Sequence, residues 1–211
     1  MKLLAKLLCA AALTLLLCLA ASAREVVIYE NNFDGASALS DFAVRGRWSV
    51  KGGTANLAAG KSSSGCLTYK IPAKYRGKKY KLEVDYLGQT GMGGLLIGAE
   101  GEGLSPTPSY FFGYTASVAA SGTKGMFAYF NEKGGWGDTL RTGLDTFDER
   151  NVHLCAVVDP AKGEILFTIK PQGGSRELFA MTYGLRTTEN EMIYTSFSDT
   201  VGIRRAYTAK G

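Results

Sequence analysis

Lys79 to Gln89 reads KYKLEVDYLGQ, and its alternation decides how the chain is read. Tyr80, Leu82, Val84 and Tyr86 fall on one face of an extended strand. Lys81, Glu83 and Asp85 fall on the other. A period of two with one apolar and one charged face is the pattern of a half-buried antiparallel strand. Leu87-Gly88 ends it.

The same pattern recurs along the chain. Val26 to Phe33 reads as a first strand broken at Asp34-Gly35, and Ala36 to Phe42 as room for one short helical turn. Trp48 to Leu57 reads as a hairpin turning at Lys51-Gly52-Gly53, with Trp48 in the core. Cys66 to Ile71 is a strand stopped by Pro72. Gly94 to Ala99, Tyr110 to Ala116 and Gly125 to Phe130 follow, then Val152 to Asp159 and Glu164 to Lys170 joined by Pro160-Ala161-Lys162-Gly163, a four-residue hairpin loop. Met192 to Phe197 and Val201 to Thr208 finish the series. About a dozen short strands without helical periodicity predict an all-β fold, a two-sheet antiparallel sandwich. No repeat and no linker divides it, so residues 24–211 are expected to form one domain.

Residues 1–23 have the pattern of a signal peptide. Lys2 and Lys6 form a basic start, Leu7 to Ala20 is apolar and uncharged, and Ala21-Ser22-Ala23 offers the small residues of a cleavage site before Arg24. The apolar run is too short for a comfortable membrane span. Export to the periplasm or the extracellular space is therefore expected, with no stable span after cleavage. Loss of Lys2 and Lys6 lowers the formal charge from +5 to +3. The remaining cations are scattered except in Lys74 to Lys81 (KYRGKKYK), so no nucleic-acid partner is expected.

Cys66 and Cys155 are the cysteines beyond the leader, and His153 is the sole histidine. That excludes a zinc centre of several imidazoles. Without His153, any chemistry here is carboxylate chemistry. Alternation places Cys66 with Thr68 and Lys70, and Cys155 with His153 and Asp159, both away from the apolar faces. A Cys66–Cys155 disulfide is expected if the two strands are neighbours in an oxidising compartment, and two separate thiols are the alternative. His153 itself is assigned no role.

The order of segments carries a resemblance. "NNFDG", "GRWSVKGGTANL", "YKLEVDY", "GGLLIGA", "YFFGY", "HLCAVVDPAKGEILFTI", "YGLRT" and "VGIRRAYTAK" follow one another. The series resembles the concanavalin A-like lectin/glucanase superfamily, in particular the laminin-G-like jelly-roll domains of exported bacterial proteins. The resemblance implies one convex and one concave sheet, with first and last strands paired and sugars held on the concave sheet or on the loops of one edge. It also implies a calcium ion pinning the chain ends, with Glu30, Asp34 and Asp199 (and Asn32) at the corresponding places, although no contiguous calcium-loop signature is present. No cofactor is required.

Similar glucanases carry Glu-x-Asp-x-Glu on the active strand, sometimes with one more residue before the last Glu. Glu83 and Asp85 match the first two positions, but Tyr86, Leu87 and Gly88 bring no third carboxylate. A retaining mechanism needs both a nucleophile and a proton donor about 5–5.5 Å apart, so the strand is read as lacking the set. Glu83 and Asp85 would be the acids of a divergent glycoside hydrolase, if the chain is one. Trp136, with Asp138 and Arg141, stands in the Gly-rich stretch NEKGGWGDTLRTG, where an indole stacks on a sugar ring and polar neighbours hold its hydroxyls. The expectation is a non-catalytic domain binding a glycan or polysaccharide, with Trp136 first and Glu83/Asp85 second. A glycoside hydrolase and an adhesion module that binds a surface protein are the alternatives.

Overall fold

The computed structural model describes residues 25–35, 37–58, 62–87, 92–99, 109–115, 125–131, 140–143, 151–175, 179–184 and 200–208. The expected leader, the expected strand Met192–Phe197, Trp136, Asp138 and Asp199 lie outside them. Among the described residues no helix is long and apolar enough to cross a membrane. The chain divides into two units, Met1–Asn31 and Asn32–Gly211.

In the first unit, residues 25–31 form no strand; Asn31 Nδ2 donates to the Tyr29 hydroxyl at 2.7 Å. The expected strand Val26–Phe33 is therefore corrected. Val26 and Val27 are 63% and 77% exposed. Strand preference of β-branched residues reflects packing against neighbours, and here these side chains face water.

The second unit is built from strands. They are β1 (Ala43–Arg45), β2 (Trp48–Val50), β3 (Ala55–Leu57), β4 (Ser62–Lys70), β5 (Tyr80–Tyr86), β6 (Met92–Ile97), β7 (Ser109–Thr115), β8 (Gly125–Asn131), β9 (Leu140–Gly143), β10 (Val152–Asp159), β11 (Glu164–Pro171), β12 (Phe179–Gly184) and β13 (Thr200–Thr208). One sheet has the order β1-β4-β13-β6-β7-β8-β9, a second β12-β11-β10-β5, and β2-β3 is the predicted hairpin. Every pairing is antiparallel. The fold is an all-β jelly-roll sandwich. The last strand, β13, lies inside the large sheet between β4 and β6, so it is β4 and not an N-terminal strand that it pairs with.

The two sheets meet through the apolar faces that alternation predicts. In β5, Lys81, Glu83 and Asp85 are exposed while Tyr86 is buried. Leu154, Ala156 and Val158 of β10 and Ile165, Phe167 and Ile169 of β11 are fully buried. From the large sheet come Leu67, Leu95, Ile97, Tyr110 and Phe112, and Phe112 stacks on Phe167 with centroids 5.1 Å apart. The Tyr86 hydroxyl crosses from one sheet to the other, donating to Gly94 O at 2.9 Å and accepting from Gly94 N at 3.0 Å. The β10–β11 turn forms as expected: Lys162 N donates to Asp159 O at 3.2 Å, and Gly163 takes φ +65°, a conformation that suits a residue without Cβ.

The large sheet is buried on both faces at its centre. Leu96 and Phe111 point opposite to Leu95 and Phe112, and with Cys66 and Ala99 they make a second buried cluster. Strands of this kind read as continuous apolar runs (GGLLIGA, YFFGY) and not as alternation. The backbones there approach closely: a Cβ on Gly202 would sit 2.1 Å from Leu67 O.

This arrangement overturns the expected Cys66–Cys155 disulfide. Neither Cys66 nor Cys155 is in a disulfide. Cys66 is on β4 of the large sheet and Cys155 on β10 of the small one, each on the face turned away from the other sheet, so the whole sandwich separates them. The parity expected for both was right. Cys66 is nonetheless 1% exposed, because its face of the sheet is covered as well.

Candidate functional site

The outer face of the four-stranded sheet gathers the polar groups that the sequence separates. Antiparallel register sets Asp85 opposite His153 and His153 opposite Lys170, in one row across β5, β10 and β11. The next row is Glu83, Cys155, Thr168; the next is Lys81, Val157, Leu166. Residues directly opposite on one face lie within reach of each other's side chains. Among the described strands β5 stands at one end of this sheet, so the described face ends on its charged residues.

His153 joins the two acids. Its Nδ1 lies 2.8 Å from Asp85 Oδ1 and its Nε2 3.3 Å from Glu83 Oε1. The imidazole is the least exposed of the three, at 19% against 42% for Glu83 and 50% for Asp85. An imidazolium donates to both carboxylates at once, whereas a neutral ring donates to one. Lys81 Nζ approaches Glu83 Oε2 at 3.1 Å from the other side. Partial burial pushes the Glu83 carboxyl up, but the hydrogen bonds and charges of Lys81 and His153 outweigh it and hold the group below its ordinary value.

Cys155 stands in the same cluster, and its thiol is pushed up from the ordinary range. Burial is the main cause and the negative Glu83 opposite it the next; the hydrogen bond with Thr168 pulls the other way without prevailing. A nucleophilic cysteine needs a stabilised thiolate and a free base. Here the thiol is held protonated, and both nitrogens of the imidazole are turned to carboxylates.

The two acids meet the same obstacle as a glycosidase pair. Strand rise sets Cα atoms two residues apart at roughly 6.5 Å, a spacing compatible with paired carboxylates. The His153 ring fills the gap between them, where a glycosidic oxygen would have to enter. Glu83 and Asp85 are thus brought together, but as partners of one imidazole. His153 is the residue that the sequence reading passed over. Its outward direction follows from alternation; its partners follow only from the pairing of β5 with β10, strands more than sixty residues apart.

The other expected site residues are not joined to this cluster. Arg141 lies in β9, the last strand of the large sheet, in register with Phe127. Trp136 and Asp138 belong to the segment connecting β8 to β9, outside the described residues. Asp34 follows Phe33, whose φ is +56°, and lies beside the β2–β3 turn, where a Cβ on Gly53 would be 3.5 Å from its Oδ1. Glu30 belongs to the first unit. Among the described residues no three His, Cys, Asp or Glu side chains gather as a metal set.

No family model matches the chain. No curated protein matches it. Solved structures do. A legume lectin-like domain from Entamoeba histolytica superposes with a TM-score of 0.61 at 10% identity, over 87% of this chain and 91% of that one. The metal-free form of lectin I-B4 from Griffonia simplicifolia gives 0.56 at 11% identity, over 86% and 90%. The CBM2 module of the evolved Dit of Lactobacillus casei BL23 phage J-1 gives 0.58 at 7% identity, over 85% and 86%. At such identities the likeness establishes the fold, which is that of the concanavalin A-like sandwich, and the fold alone does not assign a ligand.

Proposed function

We propose that this chain is an exported, non-catalytic carbohydrate-binding domain of the laminin-G-like branch of the concanavalin A-like fold. The observation that carries the reading is the match, over nearly the whole sandwich, to domains whose names are those of lectins and of a CBM2 module. The geometry of the small sheet supports the non-catalytic part. Its two strand carboxylates are tied to His153, and its thiol is protonated beside Glu83.

The ligand is a glycan or a cell-surface polymer, and Trp136 in the connection between β8 and β9 is the first contact proposed. An aromatic ring offers a sugar a flat apolar face, and Asp138 and Arg141 are near it in sequence to satisfy hydroxyls. Calcium, if it takes part, would use Asp34 and Asp199.

A glycan array probed with the protein, with and without calcium, tests the reading. The expected result is a set of hits that remain intact on incubation and that Trp136→Ala abolishes, while the thermal midpoint of the variant stays unchanged. Release of reducing ends from a hit, lost in Glu83→Gln, would instead establish a hydrolase. An array without hits would overturn the carbohydrate reading.

A further inference from the structure

We infer that the outer face of the small sheet carries a proton-operated latch: the charged ring of His153 ties both acids of β5 to β10, and loss of its proton releases Glu83 and loosens the hold on β5. The inference is independent of the ligand that the domain takes. His153 is the sole histidine of the chain, so one ring carries the whole effect.

The ring stands between two acceptors. Its Nδ1 is 2.8 Å from Asp85 Oδ1 and its Nε2 3.3 Å from Glu83 Oε1, and an ionised carboxylate accepts hydrogen bonds without donating them. The charged ring has two N–H groups and satisfies both acids. A neutral ring has one, so its second nitrogen turns a lone pair toward a carboxylate oxygen. The shorter contact decides which bond survives. The remaining proton stays on Nδ1 with Asp85, and the Glu83 arm lets go. Glu83 then keeps Lys81, at 3.1 Å, on its own strand. The proton therefore controls the tie between strands at the Glu83 row.

Four charged groups face the ring from the neighbouring strands. Asp85 and Glu83 of β5 touch its nitrogens, and Lys81 of β5 is engaged by Glu83. Lys170 of β11 stands across from His153 in register. On β10 itself the Cys155 thiol is neutral, raised by burial and by Glu83. The Glu83 carboxyl is held below its ordinary value, so it stays ionised in mild acid, where an imidazole, which ordinarily titrates at about pH 6.5, carries its proton. The second bond is thus present on the acid side of the imidazole titration and is lost as pH rises through it.

Two measurements on the full protein, prepared without a histidine tag, test the latch. The first is nitrogen-15 NMR of the His153 ring from about pH 5 to about pH 8. On the acid side both nitrogens should carry protons, and on the alkaline side Nδ1 alone. A neutral ring protonated on Nε2, or a mixture of the two forms, overturns the inference. The second is hydrogen–deuterium exchange of β5 peptides, corrected for the pH dependence of exchange in an unstructured chain. β5 should open about threefold more often at pH 8 than at pH 5, the size expected of one partly exposed ionic contact, while β7 peptides show no change. The difference should vanish in His153→Gln, which has no titrating ring, and in Glu83→Gln, whose amide serves a charged or a neutral ring alike. A β5 without pH dependence, a dependence kept by either variant, or an equal change in β7 overturns the inference.

Discussion

Tyr86→Phe removes one oxygen atom and no other packing, which makes it a sharp test of how β5 is fastened to the large sheet. Tyr86 is 5% exposed, and its hydroxyl donates to Gly94 O at 2.9 Å and accepts from Gly94 N at 3.0 Å. Each hydrogen bond is worth about 0.5–1.5 kcal/mol net, and a buried partner left unsatisfied costs about 1–3 kcal/mol. Phenylalanine keeps the ring burial and abandons both Gly94 groups, so a loss of about 2–3 kcal/mol is expected. For a chain of about this size each kcal/mol lowers the thermal midpoint by about 2–4 °C, which sets the shift at about 5–10 °C. Calorimetry together with urea unfolding measures it, and the denaturant slope should not change if the native fold is kept. Glycan binding at 25 °C should survive, since the substituted atom lies between the sheets. A midpoint within about 1 °C of the parent would refute the reasoning. It would mean that Gly94 is already satisfied by its ladder partners Gly113 and Arg204, and that the hydroxyl is incidental.

Two further predictions concern the outer face of the small sheet. The Glu83 carboxyl is held below its unfolded value of 4.5, so its contribution to stability is whole above about pH 4.5 and is lost as pH falls through the lower folded value. In urea titrations from pH 6 to pH 2.5, Glu83→Gln should flatten that acid limb by less than about 1 kcal/mol, because the side chain is 42% exposed and its ion pairs are screened; an unchanged limb would contradict the pairing with Lys81 and His153. The thiols give the second. Cys155, raised by burial and by Glu83, should be alkylated by iodoacetamide at pH 8 more slowly than a free cysteine, and faster in Glu83→Gln. Cys66 should react only on unfolding. Peptide mass spectrometry without reductant should recover both as alkylated thiols, and recovery of a Cys66–Cys155 disulfide peptide would disprove the placement of the two strands in different sheets.

Most of the sandwich is legible because its strands obey local rules. Alternation in β5, the Pro160–Gly163 turn between β10 and β11, and the glycine turn between β2 and β3 are each determined by a few neighbouring residues. The strands that escape reading are those without a local signal. β1 and β9 are too short for a period, β9 sits in what reads as a Gly-rich loop, and β12 (FAMTYG) carries no clear alternation. Val26 and Val27 err in the opposite sense: the residue types suit a strand, but both side chains are exposed. Cys66 shows the limit of parity. Its direction is readable from β4, while its burial depends on Leu96 and Phe111, brought beside it by two other strands.

The opening strand shows the same limit at the level of chemistry. E-V-D carries two correctly spaced carboxylates, and nothing local distinguishes a catalytic pair from an ionic clamp. The distinction comes from β10, which lays His153 against Asp85 and Cys155 against Glu83. A histidine, a cysteine and two acids on one face resemble the parts of a catalytic site, yet their contacts work against one another. Both imidazole nitrogens lie against carboxylates, so neither is free to serve as a base for the thiol, and Glu83, which would have to be protonated to donate to a glycosidic oxygen, is instead kept ionised by Lys81 and His153. Such a clamp fastens β5 to β10. In this arrangement the carboxylates of β5 bind their own neighbours, Lys81 and His153, across the outer face of the small sheet.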